Sequence, residues 1–308
     1  MIDAHVHIFP EIHGYGPKGI IRGLKHGKID YGDGVPVQVL LESNKDTCHT
    51  TEMLLQEMDS NDIEKAVLLL CPCYGNFSDY ILDACERYPG RFTKSAFFDP
   101  WDKNAKEYYE RNLKGDLWKN IKIEFSENGG LCGVYPNARL NEDSLKWLWD
   151  EMNREKKTVS FDLGRPFDRS YQTEDIYSIA TTHPDLKIVL CHMGQPSIKV
   201  EQDPDLRKKW EEQIALGKLP NIWFDLSAMP YHVQHDERMP FPSTKRFFDR
   251  ALEIAGHRKF LWGTDIPVLL SVATYSNLVA HGKYLVHDLL DEEKDCILEK
   301  NALEVYYW

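Results

Sequence analysis

The chain has little of several things. No apolar run approaches the roughly 20 residues that a bilayer-spanning helix needs, so no membrane-embedded protein is expected. Positive charge is in deficit. Against 49 acidic residues stand 37 basic ones, and the formal charge of −12 disfavours a nucleic-acid groove or an anionic membrane surface as partner. Neither G-x-G-x-x-G nor a P-loop occurs, which removes the usual signals of a nucleotide-binding open sheet. A strand-like pattern starts at Ile2 and leaves no room for the charged and apolar regions of a signal peptide. Seven scattered cysteines, an odd number, fit reduced thiols in the cytoplasm. What is present is ample material for a core: 42% hydrophobic and 12% aromatic residues over 308 positions, enough for one large domain or two medium ones.

The opening run IDAHVHIFP carries the first chemical signal. His5 and His7 are two residues apart, and on a strand residues i and i+2 point to the same face. Two imidazoles on one face can grip one metal ion. Pro10 and the polar stretch after it end the strand, so the pair falls at its C-terminal end. Parallel α/β folds place their chemistry there.

Strand-like and helix-like runs then alternate. The strand signals are Ile2 to Ile8, Ala66 to Leu70, Phe92 to Phe98, Leu131 to Tyr135, Thr158 to Leu163, Leu186 to Cys191, Ile222 to Leu226 and Phe260 to Gly263. Helical patterns lie between them, including Thr50 to Asn61, Asn104 to Asn128 and Ser144 to Lys157. Eight such repeats predict a (β/α)8 TIM barrel occupying 1–308 as a single domain, with a doubly wound open sheet as the alternative. The stretch 11–50 shows no sustained helical period and reads as a long loop or lid inserted after strand one.

In such a barrel the informative positions are polar residues at the ends of strands. They are His5 and His7 on strand one, Asp162 on strand five, His192 on strand six, Asp225 and Ser227 on strand seven, and Asp265 on strand eight. Imidazole and carboxylate together suit a divalent Zn, Mn or Fe ion. Asp225, just before Leu-Ser-Ala, reads better as a cap or scaffold residue. Arg139 and Arg165, after strands four and five, are candidate clamps for a substrate carboxylate. Weaker candidates are Cys71 and Cys73, read as packing residues, His13 and His26 in the first long loop, and His232 and His235 after strand seven near the predicted mouth.

These motifs resemble the amidohydrolase superfamily, and within it the group that includes aminocarboxymuconate-semialdehyde decarboxylase-like enzymes. IDAHVHIFP is similar to that group's opening metal motif, VLCHMGQP to its strand-six histidine motif, and FLWGTDIP to its strand-eight aspartate motif. ILEKNALEVY resembles its closing segment. The resemblance implies one divalent metal, most simply zinc, held by His5, His7, Asp162, His192 and Asp265. It also implies Asp265 as general base and His192 as a group that binds metal or positions water and substrate. One departure stands out. Asp162 occupies the strand-five position where the family usually has histidine. No lysine appears in the run taken as strand four, LCGVY, to form a bridging carbamate, so a single metal is expected. The implied activity is hydrolysis of a small lactone, amide or related carbonyl compound. A decarboxylase of a small unsaturated or aromatic acid is the alternative, and a barrel that has lost activity and serves as a binding protein is a third. The expected partners are a small-molecule substrate and a second copy in a homodimer.

Overall fold

The computed structural model describes residues 1–234 and 236–308; His235, one of the weaker histidine candidates, lies outside them. Eight strands form one parallel sheet in the order β1 (Ile2–Val6), β6 (Lys65–Leu68), β7 (Phe92–Phe97), β8 (Asn120–Glu124), β9 (Thr158–Asp162), β10 (Lys187–Leu190), β11 (Ile222–Asp225) and β12 (Phe260–Leu261). Sequential order with every neighbour parallel is what right-handed crossovers through helices produce. The sheet closes on itself. The Ala4 N–H donates to Trp262 O, the Asp265 N–H to His5 O and the His7 N–H to Ile266 O, all at 2.8 to 2.9 Å. The fold is therefore the expected TIM barrel.

Three expectations are corrected. Strand four is β8, Asn120–Glu124, inside the stretch read as helical, whereas Leu131–Val134 is a short helical turn. In NIKIE the apolar Ile121 and Ile123 alternate with Asn120, Lys122 and Glu124, a pattern normally seen on a half-solvated strand. Here all five residues are buried, because the polar set faces the barrel interior. LCGVY misleads for the opposite reason: a short apolar run does not by itself distinguish strand from helix. Strand four therefore does contain a lysine, Lys122.

The second correction concerns 11–50, which is not a structureless loop. It contains a four-stranded antiparallel sheet, β2 (His13–Gly16), β3 (Gly19–Gly23), β4 (Lys28–Asp30) and β5 (Pro36–Gln38). Ile21 and Ile29 of this sheet pack with Phe9, Ile12, Leu40, Cys71 and Tyr74. The sheet docks on the end of barrel strand two. The His13 N–H donates to Tyr74 O and the Tyr15 N–H to Pro72 O. Gly14 is required at this contact, since a Cβ there would meet Pro72 O at 2.0 Å. The cysteine expectation also changes here, because Cys71 and Cys73 are joined in a disulfide and the other five cysteines are free.

The opposite end of the barrel is plugged by the chain terminus. Thr158 Oγ1 donates to Val305 O, and the hydroxyls of Ser160 and Tyr306 meet at 3.0 Å. With that end filled, the site is left to the C-terminal mouth, under the small sheet. No helix among the described residues is long and apolar enough to cross a membrane.

Candidate metal centre

Strand one delivers His5 and His7 to one face, as the two-residue period requires. Their Nε2 atoms lie 3.2 Å apart. Asp265 Oδ1 lies 3.0 Å from His7 Nε2 and 3.6 Å from His5 Nε2. Among the described residues these three side chains form a group whose ligand atoms all lie within 4.8 Å of one another.

The far side of each ring decides what the near side can do. His7 Nδ1 lies 2.9 Å from Leu69 O, and a carbonyl only accepts, so Nδ1 carries the hydrogen. His5 Nδ1 lies 3.0 Å from the carboxylate of Asp225 and donates to it. Each neutral ring then presents a bare lone pair at Nε2. Two lone pairs and a carboxylate oxygen face one another with no donor between them. One cation resolves that repulsion, so the donor set fits a metal ion, and three protein ligands leave a position open as catalytic sites do. Burial pushes His5 down to about 4, partly offset by Asp225, which keeps it neutral as a ligand must be.

Asp225 is buried and holds the mouth together. Besides His5 it accepts the His192 N–H at 2.9 Å, the Ser227 N–H and the Ser227 hydroxyl. The scaffold reading of Asp225 fits this geometry, but what it supports is a histidine 220 residues away.

Asp162 and His192 form a separate pair beside the first group. His192 Nε2 lies 3.4 Å from Asp162 Oδ2. The Ser227 hydroxyl hydrogen goes to Asp225, so Ser227 Oγ accepts from His192 Nδ1 at 2.8 Å. Acceptors on both sides favour a doubly protonated ring. Burial alone would lower His192, and the Asp162 carboxylate overcomes it, raising the ring to about 9. The other oxygen of Asp162 accepts from Gln195 Nε2 and the Gly164 N–H, both at 2.8 Å. The backbone is strained here. His192, Met193, Gln195 and Asp265 all have φ between +47° and +65°, a left-handed conformation that costs non-glycine residues about 1–3 kcal/mol each and clusters at functional sites.

Two further residues, Tyr74 and Lys122, were not singled out by the sequence, and His232 stood only among its weaker candidates. His232 faces His192 at 5.1 Å between ring centroids, and burial followed by the positive charge of His192 pushes it down to about 3. Tyr74 packs its ring on His7 at 5.0 Å. Lys122 lies buried in the barrel, 3.3 Å from Cys191 Sγ and 3.4 Å from Glu124. Burial first, then Asp162, pushes Glu124 up to about 7, with Lys122 opposing.

Of the two arginines, Arg165 lines the mouth and is paired with Asp168 at 3.1 Å. Arg139 lies elsewhere. Its guanidinium grips Asp175 with two bonds of 2.7 and 3.0 Å, in an outer groove that contains none of the candidate ligands. His13 lies on β2 of the small sheet and His26 in the turn between β3 and β4, where its Nδ1 meets Glu42 O.

A closed parallel barrel whose mouth gathers imidazoles and carboxylates defines an enzyme of the amidohydrolase superfamily. The amidohydrolase family model matches residues 2–308, and the chain belongs to that family, which is metal-dependent. Solved structures of the same fold include a probable 2-pyrone-4,6-dicarboxylic acid hydrolase from Acinetobacter baumannii with citric acid bound (TM-score 0.69, 16% identity, 99% of this chain and 98% of that one). An amidohydrolase from Burkholderia multivorans with bound zinc matches with TM-score 0.67 and 15% identity over 99% and 98% of the two chains. Amidohydrolase 2 from Bifidobacterium longum subsp. infantis matches with TM-score 0.63 and 14% identity over 99% and 97%. No curated protein matches the sequence.

Proposed function

We propose that the protein hydrolyses a small lactone, amide or related carbonyl compound, using one divalent metal, most simply zinc, held by His5, His7 and Asp265. The observation that carries this reading is the meeting of two Nε2 lone pairs and a carboxylate oxygen within 3.0 to 3.6 Å at the barrel mouth. A metal bound there would polarise the substrate carbonyl and lower the pKa of a water. Two imidazoles and a carboxylate suit zinc, and a relative of the same fold binds zinc.

The chain's own residues supply the rest. Asp265 is an anionic carboxylate at neutral pH and is the group placed to accept a proton from the attacking water. His192, held as a cation between Asp162 and Ser227, stabilises negative charge developing on the carbonyl oxygen. In this arrangement Asp162 acts through His192: a doubly protonated ring has no lone pair for a metal, so Asp162 sets the charge of the pocket. The same pairing gives the strand-five departure a purpose.

Hydrolysis is favoured over decarboxylation by the arginines. A decarboxylase needs a cation free to hold a carboxylate, and Arg139 and Arg165 are both engaged by carboxylates of this chain. A relative described as a probable hydrolase of a pyrone, which is a cyclic ester, also supports the lactone reading.

The test is zinc reconstitution followed by assay on small lactones and amides. The wild type is expected to bind about one equivalent and to turn over. Asp265→Asn is expected to lose about 10²-fold or more in kcat. Full turnover by that variant on a substrate the wild type hydrolyses would remove Asp265 from the role of base. Carbon dioxide release without water addition would replace hydrolysis by decarboxylation.

A further inference from the structure

The Cys71–Cys73 disulfide takes no part in the chemistry above, yet it lies where the small sheet, the metal centre and the mouth cavity meet. The small sheet hangs on the turn that this bond spans. Two hydrogen bonds of 2.9 Å tie β2 to it, from the His13 N–H to Tyr74 O and from the Tyr15 N–H to Pro72 O. The backbones pass closely: a Cβ on Gly14 would stand 2.5 Å from Cys73 O, and one on Gly75 would stand 2.5 Å from His13 O. The same stretch of chain backs the metal centre. Leu69 O, two residues before Cys71, holds His7 Nδ1 at 2.9 Å. The Tyr74 ring packs on His7 at 5.0 Å and stacks on Phe9 at 4.4 Å.

The two sulfurs differ in access. Cys71 is buried in the apolar cluster that joins the small sheet to the barrel. Cys73 is half-buried and lines the cavity of about 270 Å³ that Asp265 borders. A molecule in that cavity meets both the metal centre and the Cys73 sulfur. The bond joins residues two apart in the chain. Closing so short a loop removes little freedom from the unfolded chain, and a barrel with a large core needs no staple. Accessible disulfides are the labile ones.

We infer that Cys71 and Cys73 form a thiol–disulfide exchange site for a low-molecular-mass thiol entering by the mouth cavity, and that opening the bond loosens both the anchor of the small sheet and the backing of His7. The incoming thiolate attacks Cys73 Sγ and forms a mixed disulfide. The Sγ–Sγ bond breaks, and its electron pair leaves with Cys71 Sγ, which takes a proton because a buried thiolate is costly. A second thiolate attacks the outer sulfur of the mixed disulfide. The thiol departs as its oxidised dimer, and Cys73 is left to take a proton. The pair has gained two electrons, and two thiols have become one disulfide. The turn then keeps only two long internal bonds, from the Tyr74 and Gly75 N–H groups to Cys71 O at 3.3 and 3.4 Å.

Glutathione is the probe. Folded protein is incubated with millimolar glutathione, free thiols are alkylated, and Cys71 and Cys73 are mapped by mass spectrometry. Without glutathione both are expected to resist alkylation, even after denaturation. With it, an adduct on Cys73 is expected first, and then two alkylatable thiols. Backbone hydrogen exchange over residues 13–38 is expected to quicken in the reduced wild type, while β9 to β11 on the far side of the barrel stay unchanged. The double variant Cys71→Ser/Cys73→Ser is expected to exchange like the reduced wild type, to ignore glutathione, and to bind zinc about tenfold more weakly than the oxidised wild type. Thiols open to alkylation without glutathione overturn the proposal. So do a disulfide that survives glutathione, an adduct confined to Cys71, and an opened disulfide with unchanged exchange over 13–38. Unweakened zinc binding by a folded double variant removes the link to His7. If the double variant does not fold, the exchange and mapping of the wild type decide alone.

Discussion

Asp225 Oδ2 lies 3.0 Å from His5 Nδ1, and the other oxygen of the same carboxylate accepts the backbone N–H of His192 at 2.9 Å. One buried side chain therefore fixes the tautomer of a metal-facing histidine and the start of the strained turn that carries the second histidine. Partners of this kind orient ligands and raise their basicity.

Asp225→Asn tests that linkage. An amide at this position has one oxygen where two acceptor atoms are needed, so the hold on His5 or on His192 is lost. Zinc affinity, measured by competition with a chromophoric chelator, is expected to fall about 10- to 100-fold. Wild-type affinity in a folded variant would show that His5 needs no outer partner.

Gly263 follows strand eight and lies against His5 of strand one. A Cβ there would stand 3.0 Å from His5 Cβ and 3.1 Å from His5 N. Gly263→Ala is expected to displace His5 and to cost about 1–3 kcal/mol in urea unfolding, as overpacking does. Zinc affinity is expected to weaken with it. Unchanged stability together with unchanged affinity would mean the contact relaxes freely.

Lys122 is almost fully buried and pairs with Glu124 at 3.4 Å. Removing one partner of a buried pair leaves an uncompensated charge. Lys122→Met is expected to destabilise the barrel by about 3–5 kcal/mol, and the double variant Lys122→Met/Glu124→Gln to recover part of that. A single variant as stable as the wild type would show that the two groups are not coupled.

His281 gives the pH dependence a defined sign. It is buried between Thr244, whose Oγ1 lies 2.7 Å from its Nε2, and the ring of Phe241. Burial lowers it from an ordinary 6.5 to about 3. Below pH 6.5 the unfolded chain takes up a proton that the folded chain refuses, so stability falls as the pH falls from 6.5 toward 3. The loss from this residue grows by about 1.4 kcal/mol per pH unit. Urea midpoints at pH 7 and pH 5 are expected to differ less in His281→Gln than in the wild type. Equal differences would place the acid sensitivity elsewhere.

Much of the site was legible because strand periodicity is local. The i, i+2 spacing alone placed His5 and His7 on one face, and the apolar runs ending in Asp162, His192, Asp225 and Asp265 marked the ends of strands. Strand four was illegible because its polar residues face a polar barrel interior. NIKIE carries Lys122 and Glu124 inward, the reverse of the usual rule that a buried parallel strand is apolar throughout. The small sheet of residues 13–38 was illegible because its strands are three to five residues long, too short to show a period.

The sequence by itself determined the alternation of strands and helices, seven of the eight barrel strands and the residue types gathered at the mouth, since each follows from spacing within a few residues. Only the tertiary structure decided which groups face which. It set Asp225 behind His5, Asp162 against His192, Asp175 on Arg139 and a disulfide between Cys71 and Cys73. Apart from that disulfide, these partners stand 30 to 220 residues apart in the chain. Their pairing depends on how eight strands close into a ring, which no local pattern specifies.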